Sequence, residues 1–353
     1  MKSFRARCTV WILVVMVAWL CWAANSVAGA EGFSLRDKPG EYLDVLHDGR
    51  VAARYMYACD TSTPERTVET NKPYLHVFDA AGRAPITNGP AGLYPHHRGI
   101  FIGWNKIECA GQVYNSWAVR DGVMLHKQFQ HRQADARQAA FTALVHWNDA
   151  QGAPYVEETR TMTLRRGPGA ARLLIDFTAL LKAVCGDMKL GGNADHGGVQ
   201  YRAANELDLD KTVYVFPKLN ADPKADVDYP WVGMSYTLAG QRYSVVHMNH
   251  AQNPQGTLYS AYRDYGRFGA FFEGQIAKGQ TLTVKYRLLV ADGEMLDAAL
   301  VQASWDEFAG KASASPVPPT TVRPADAKAA KKPAVKPTEK PAAKAAPVPS
   351  KQP

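Results

Sequence analysis

Apolar and polar residues alternate with a period of two along most of the chain. The clearest case is Gln280–Val290, where Leu282, Val284, Tyr286, Leu288 and Val290 alternate with Thr281, Thr283, Lys285 and Arg287. Successive side chains on a strand point to opposite faces, so this pattern predicts a half-buried strand. Comparable runs predict strands over Arg50–Tyr57, Tyr74–Phe78, Gly99–Trp104, Gln112–Val119, Val123–Phe129 and Ala139–Trp147. Further runs cover Tyr155–Leu164, Arg172–Leu181, Thr212–Phe216, Tyr243–Met248 and Gly269–Phe272. Turn residues separate them, as in Asp79-Ala80-Ala81-Gly82, Arg166-Gly167-Pro168-Gly169, Ala239-Gly240 and Lys278-Gly279. Many short strands with regular turns predict an all-β fold, a large antiparallel β-sandwich. One helix is predicted after Asp292-Gly293, where Leu296, Leu300, Val301, Trp305 and Phe308 recur at helical spacing. It would close the domain at its C-terminal end.

The pattern changes at both ends. Lys2, Arg5 and Arg7 precede an almost purely apolar run from Val10 to Ala24, followed by Ser26-Val27-Ala28 and Ala28-Gly29-Ala30. A basic start, a short apolar run and small-x-small sites predict a secretory signal peptide over residues 1–30, hence an exported (periplasmic or extracellular) protein. The run is too short for a membrane span, and no other segment is apolar enough for one. Residues 31–311 are read as a single β-sandwich domain. From Ala312 to Pro353 the composition is rich in Lys, Pro and Ala and lacks aromatic residues, which predicts a disordered tail.

The ends also account for the charge. The formal net charge is +8, but the excess resides in the leader and in the lysines of the tail. The part between them is close to neutral, which argues against a nucleic-acid-binding domain. The basic tail suits a loose hold on an anionic envelope surface. Three cysteines follow the leader, Cys59, Cys109 and Cys185. An oxidising compartment allows one disulfide among them, and spacing leaves the pair open.

Candidate chemistry centres on histidine, of which the chain has 10. Two are adjacent in Pro95-His96-His97-Arg98-Gly99, and the apolar strand that follows ends in Trp104-Asn105. Imidazole transfers protons near neutral pH and binds metals. An arginine beside it can hold an anion or polarise a carbonyl. Extended backbone would send His96 and His97 to opposite faces unless the loop bends there. His76 lies upstream, in Pro73-Tyr74-Leu75-His76. Trp104 could offer an apolar face to a sugar or could be core.

A second group is Asn193-Ala194-Asp195-His196-Gly197-Gly198, with Gln200 and Arg202 on one strand face beyond it. The glycines allow a tight turn or close approach to a ligand. Asp195 could orient a histidine or form an Asx turn. His247, Arg263 and Tyr265 are secondary candidates. Glu157 and Glu158 are neighbours on a strand and point apart, so they do not make a two-carboxylate glycosidase site. Phosphate-loop, dinucleotide, nucleophile-elbow and His-Glu-x-x-His motifs are missing, so no nucleotide cofactor is expected.

Several segments, in order, resemble a bacterial family. They are Lys72-Pro73-Tyr74-Leu75-His76, Pro95-His96-His97-Arg98-Gly99 with Trp104-Asn105, Glu158-x-Arg160, Gly197-Gly198 with Arg202, Arg263-Asp264-Tyr265-Gly266 and Lys278-Gly279-Gln280 with Tyr286-Arg287. Together they resemble the PmoA-type domain family of unknown function, often called methane oxygenase PmoA. The resemblance implies an exported, β-rich protein associated with carbohydrate catabolism, and it supplies no catalytic residues. Methane oxidation is not implied, because the monooxygenase subunit of that name is an integral membrane protein. The architecture is also similar to galactose-mutarotase-like supersandwiches, by analogy of fold alone.

These readings converge on an exported carbohydrate-associated protein, an enzyme using histidine acid/base chemistry on a sugar as an epimerase, lyase or hydrolase. His97, His196 and His96 would move protons. His76, Arg98, Trp104, Asn105, Gln200, Arg202, Arg263 and Tyr265 would bind the ligand, a carbohydrate or other small polar molecule. The alternatives are a non-catalytic glycan or cell-envelope binding module, and a divalent-metal site built from His76, His96 or His97, and His196.

Overall fold

The computed structural model describes residues 31–120, 122–311 and 318–324. The expected leader and most of the expected tail lie outside the described residues. The fold is an all-β antiparallel sandwich. One sheet has 8 strands, in the order Phe33–Lys38, Tyr42–His47, Arg50–Met56, Tyr74–Val77, Ile100–Trp104, Gly197–Arg202, Arg267–Phe271 and Leu258–Tyr259. The other has 9 strands and is built around Pro154–Arg165, Ala171–Ala183 and Thr281–Asp292. A small 4-stranded sheet (Gly274–Ile276, Met188–Gly191, Lys106–Cys109 and Gln112–Tyr114) completes the fold.

Alternation explains which face each strand buries. Leu75, Ile100, Ile102, Val199 and Tyr201 of the first sheet meet Phe141, Met162, Phe177, Val284, Tyr286 and Leu288 of the second in one core. The strand with the clearest alternation has a second duty. Leu289 and Ala291, on its other face, pack with Trp231, Val246 and Met248 beneath the C-terminal helix Ala298–Ala309. Asp297 caps this helix by accepting from the amides of Ala299 and Leu300 at 3.0 and 3.2 Å. Gly310, in the left-handed region at φ 62°, ends it.

Some expectations are corrected. A second helix, Pro64–Thr70, is capped by Thr63 and buries no residue, so it leaves no apolar stripe in the sequence. The strand expected over Gln112–Val119 stops at Tyr114, and the chain then turns to carry Trp117 onto the first sheet. Within the segment expected to be disordered, Thr320–Val322 forms an edge strand pairing with Val213–Phe216. Backbone hydrogen bonding to a free sheet edge needs no apolar side chains, and composition therefore does not reveal it.

Cys109 and Cys185 form the disulfide, 76 residues apart in sequence, and Cys59 is free. The bond ties the small sheet to the end of the Ala171–Ala183 strand. Replacing both cysteines by alanine should cost about 2–4 kcal/mol through the added freedom of the unfolded chain. A urea unfolding series on the double variant checks this.

Candidate functional site

The outer face of the 8-stranded sheet carries a third apolar cluster, Tyr74, Phe101 and Trp117. Pairing register explains the layout. Gln200 stands opposite both Phe101 and Gly269, and Arg202 opposite Arg267. Gly103 is paired with Gly198. A side chain at 103 would collide with the carbonyl of Ser116, so glycine there lets the Asn115–Trp117 segment lie directly on the sheet. Ser116 fixes it, its Oγ accepting from the Trp104 amide at 2.9 Å and donating to the Trp104 carbonyl at 3.2 Å. Gly198 has φ +79° and lies against the Ala270 carbonyl, which excludes any Cβ.

Trp117 is the hub. The His97 ring lies 5.2 Å from it and the His196 ring 5.8 Å, both edge-on, and the Arg267 guanidinium lies 5.3 Å over it. His96 joins through His97, at 4.3 Å between ring centroids. The adjacent histidines thus share one side of the sheet, because the chain turns at Pro95-His96 with the His97 amide donating to the Tyr94 carbonyl at 3.0 Å. The expected opposition of the two rings is overturned by that bend. The structure therefore brings together His96, His97 and His196 from two distant segments.

The tautomer of His196 is fixed by its neighbours. Asn193 Oδ1 accepts from the Asp195 amide at 3.1 Å, which identifies that atom as the amide oxygen. The same oxygen lies 2.7 Å from His196 Nδ1. Nδ1 must therefore donate, and Nε2 keeps the lone pair. Asn105 braces this turn, its amide donating to the His196 carbonyl at 2.9 Å.

Charge around the histidines is positive. Arg202 and Arg267 are 2% and 1% exposed. Lys72 is buried as well, its Nζ donating to the Trp117 carbonyl at 2.6 Å and lying 4.3 Å over the Phe101 ring. Burial, with Arg98 and Arg160 nearby, holds the Lys72 ammonium well below its usual range. Burial, then Lys72 and Arg98, pushes His96 down to about 3. Burial, then Arg267, lowers His196. His97 is pushed far down by burial and then by Arg267, His96 and Lys72. All three imidazoles are thus neutral bases near pH 7. Both ring nitrogens of His97 are buried without a protein hydrogen-bond partner.

Beside this cluster opens a cleft of about 1010 Å³, at the upper end of the roughly 300–1,000 Å³ range of ligand sites. Tyr94, Tyr262 and Tyr265 line it, with Arg202, Arg263 and Asp195. Leu93, 82% exposed, stands at its rim. Tyr94 and Tyr265 lie 5.2 Å apart, and the His97 ring is nearly parallel to that of Tyr265 at 6.2 Å. Arg263 pairs with Asp195 at 2.6 Å, and Asp195 also accepts from Tyr262. These bonds outweigh burial and lower the Asp195 carboxyl.

The other expected ligand residues have structural roles. Trp104 is in the core, with Nε1 donating to the Phe272 carbonyl at 3.0 Å, and it cannot stack on a sugar. Its strand alternates, so a residue at that parity faces inward. His76 is engaged at both nitrogens, with Thr87 at 2.9 Å and Tyr74 at 3.3 Å. The three-histidine metal set does not form, and among the described residues no group of three His, Cys, Asp or Glu side chains is placed to hold a metal. Arg98 is directed to the carbonyls of Pro95 and Val68, clamping the Pro64–Thr70 helix to the histidine loop. Gln200 is bonded through Nε2 to the Gly197 carbonyl, and its Oε1 accepts from Arg267 at 2.9 Å. It positions Arg267. His247 is core, 3.2 Å from the Tyr259 hydroxyl. Lys72, Trp117 and Arg267 were not singled out by sequence. Lys72 stood in the Lys72-Pro73-Tyr74 segment without an assigned role, Arg267 directly follows Arg263–Gly266, and Trp117 lay within an expected strand.

Fold and site together define an antiparallel β-sandwich protein with a cleft flanked by neutral histidines and buried cations. The chain belongs to the family of unknown function DUF6807, whose model matches residues 42–306. No curated protein matches the sequence. Among solved structures, a heparinase III is similar at a TM-score of 0.35 and 6% identity, over 80% of this chain and 41% of that one. A heparan sulfate lyase from Pedobacter heparinus is similar at 0.33 and 10%, over 81% and 42%. A galactose mutarotase-like protein from Lactobacillus casei is similar at 0.32 and 9%, over 73% and 100%. The chain thus spans about two fifths of the length of the heparinase and of the heparan sulfate lyase.

Proposed function

We propose that the protein is an exported, sugar-directed enzyme whose proton transfers are made by His196 and His96, with His97 behind them. The observation that carries this reading is the convergence of His97 and His196 on Trp117, with His96 against His97, all three kept neutral by burial and neighbouring cations. His196 Nε2, with its lone pair fixed by Asn193, is the general base. His96, in ring contact with His97, is the second proton-transfer group. Tyr94, Tyr262 and Tyr265 offer ring faces to the apolar faces of a sugar. Export is supported by the leader pattern and by the Cys109–Cys185 disulfide, which suits an oxidising compartment. The PmoA-type resemblance adds an association with carbohydrate catabolism, not methane oxidation.

The test is turnover on a panel of oligosaccharides, read by new reducing ends, anomeric or epimeric change by NMR, and ultraviolet absorbance of unsaturated products. His196→Ala and His96→Ala, folded by circular dichroism, should each lose turnover by about 10² or more. Unchanged turnover in both would refute the assignment. The lining tyrosines also suit a non-catalytic glycan-binding module, in which neither variant would matter and no panel member would be converted.

A further inference from the structure

We infer that the ligand of this cleft is an acidic sugar, with its carboxylate recognised at the Arg202 end, beside Tyr94 and Tyr265. The inference rests on reading the cleft as a sugar site and names the class of sugar. Burying a cation without a counter-charge is costly, and proteins normally pair it. Here Arg202 donates to the carbonyls of Ala203 and Tyr265 and to Asn205 Oδ1. Arg267 donates to Gln200 Oε1 at 2.9 Å, Ser260 Oγ at 3.0 Å and the Tyr265 hydroxyl at 3.4 Å. Lys72 donates to a carbonyl. The hydrogen bonds of these three cations run to neutral oxygens.

Two other buried arginines of the same protein are treated differently. Arg160 is paired with Glu158 at 2.6 Å, and Arg287 with Asp176 at 2.7 Å. Arg160 and Arg287 thus hydrogen-bond to their own carboxylates, whereas Arg202, Arg267 and Lys72 do not, and of these three Arg202 lines the cleft. Arg202 forms part of the cleft wall and lies 5.1 Å over the Tyr265 ring, and its Nε is buried without a protein partner. Lys224 adds a further cation at the wall, 5.5 Å over the Tyr262 ring. Of the wall carboxylates, Asp195 is engaged by Arg263 and Tyr262. A carboxylate on a pyranose ring would meet charge-assisted donors while the ring rests on tyrosine, which matches both the apolar and the cationic parts of the wall.

The experiment is calorimetric titration of the full protein with short oligogalacturonate and oligomannuronate, each beside its methyl-esterified form, at low and at high salt. The acid form of at least one should bind about tenfold more tightly than its ester, the worth of one hydrogen bond to a charged group. Added salt should narrow the gap. Lys224→Gln, at the wall, should reduce the preference without loss of fold. Arg202→Gln should abolish it, and the wild-type acid–ester comparison stands if that variant fails to fold. Equal binding of acid and ester, or binding of neither, would overturn the inference. His196→Ala separates the two readings. Preference for the acid with no turnover in any form of the protein would sink the enzymatic reading alone. Turnover of esterified or neutral sugars with no acid preference would sink only this one.

Discussion

The fold should lose stability steeply as pH falls below about 6. His76, His97 and His247 are buried and neutral. Burial, with Arg54 nearby, lowers His76 to about 4. Burial lowers His247 to about 3 against a weaker opposing bond to the Val199 backbone. His97 is lowered furthest, by burial and then by Arg267. In the unfolded chain each imidazole recovers its ordinary value of about 6.5. Below that pH the unfolded state therefore binds more protons than the folded one, and stability falls with pH. Each histidine contributes about 1.4 kcal/mol per pH unit, hence about 4 kcal/mol per unit for the three, until His76 protonates in the folded state near its own pKa. Domain stabilities are about 5–15 kcal/mol, so acid unfolding should begin well above the usual carboxylate range. Urea midpoints measured between about pH 7 and about pH 4.5 test this. A flat profile would mean that the three rings take up protons in the folded state.

Glu158→Gln should be among the most damaging single substitutions, at about 3–5 kcal/mol. Glu158 and Arg160 are fully buried in the core, joined at 2.6 and 2.8 Å. Glu158 also accepts from Trp147 Nε1 at 2.8 Å, and Arg160 donates to the Pro73 carbonyl at 3.1 Å. The pair therefore links the 9-stranded sheet to the residue between Lys72 and Tyr74, directly behind the site. Glutamine retains the size and loses the charge, which leaves Arg160 buried without a counter-ion. Replacing both partners by apolar residues, as in Glu158→Leu with Arg160→Met, should restore most of the loss, because no charge is then left unpaired. Glu157 provides the contrast. Its partner Lys182 is at 3.2 Å on the surface, and Glu157→Gln should change stability by about 0.5 kcal/mol or less. Thermal unfolding of the variants decides between these outcomes.

Much of the sandwich was legible because burial on a sheet writes a period of two into the sequence. The strand from Thr281 to Asp292 and the C-terminal helix correspond closely to their patterns. Strands buried on both faces or of only a few residues, such as Trp231–Leu238 and Leu258–Tyr259, carry no such alternation and were not anticipated. At the site, His96, His97 and His196 stood out as chemistry-bearing residues in glycine- and proline-marked loops. Trp104 misled, because a tryptophan at a strand end reads alike whether it faces ligand or core. Lys72, Trp117 and Arg267 were invisible as site residues, since what distinguishes them is burial and mutual distance.

The sequence by itself determined the period of its strands, the closing helix, the histidine-bearing loops and the parity that sends Glu157 and Glu158 to opposite faces. These follow from local geometry, in which each side chain's direction is set by its own stretch of backbone. Only the tertiary structure decided that the two histidine segments meet at Trp117, that His76 stands apart, and that Cys109 pairs with Cys185. It also decided that Arg202, Arg267 and Lys72 hydrogen-bond to neutral oxygens while Arg160 has its own carboxylate. Those outcomes depend on strand order and on the low-dielectric surroundings it creates, and neither is a property of neighbouring residues in the chain.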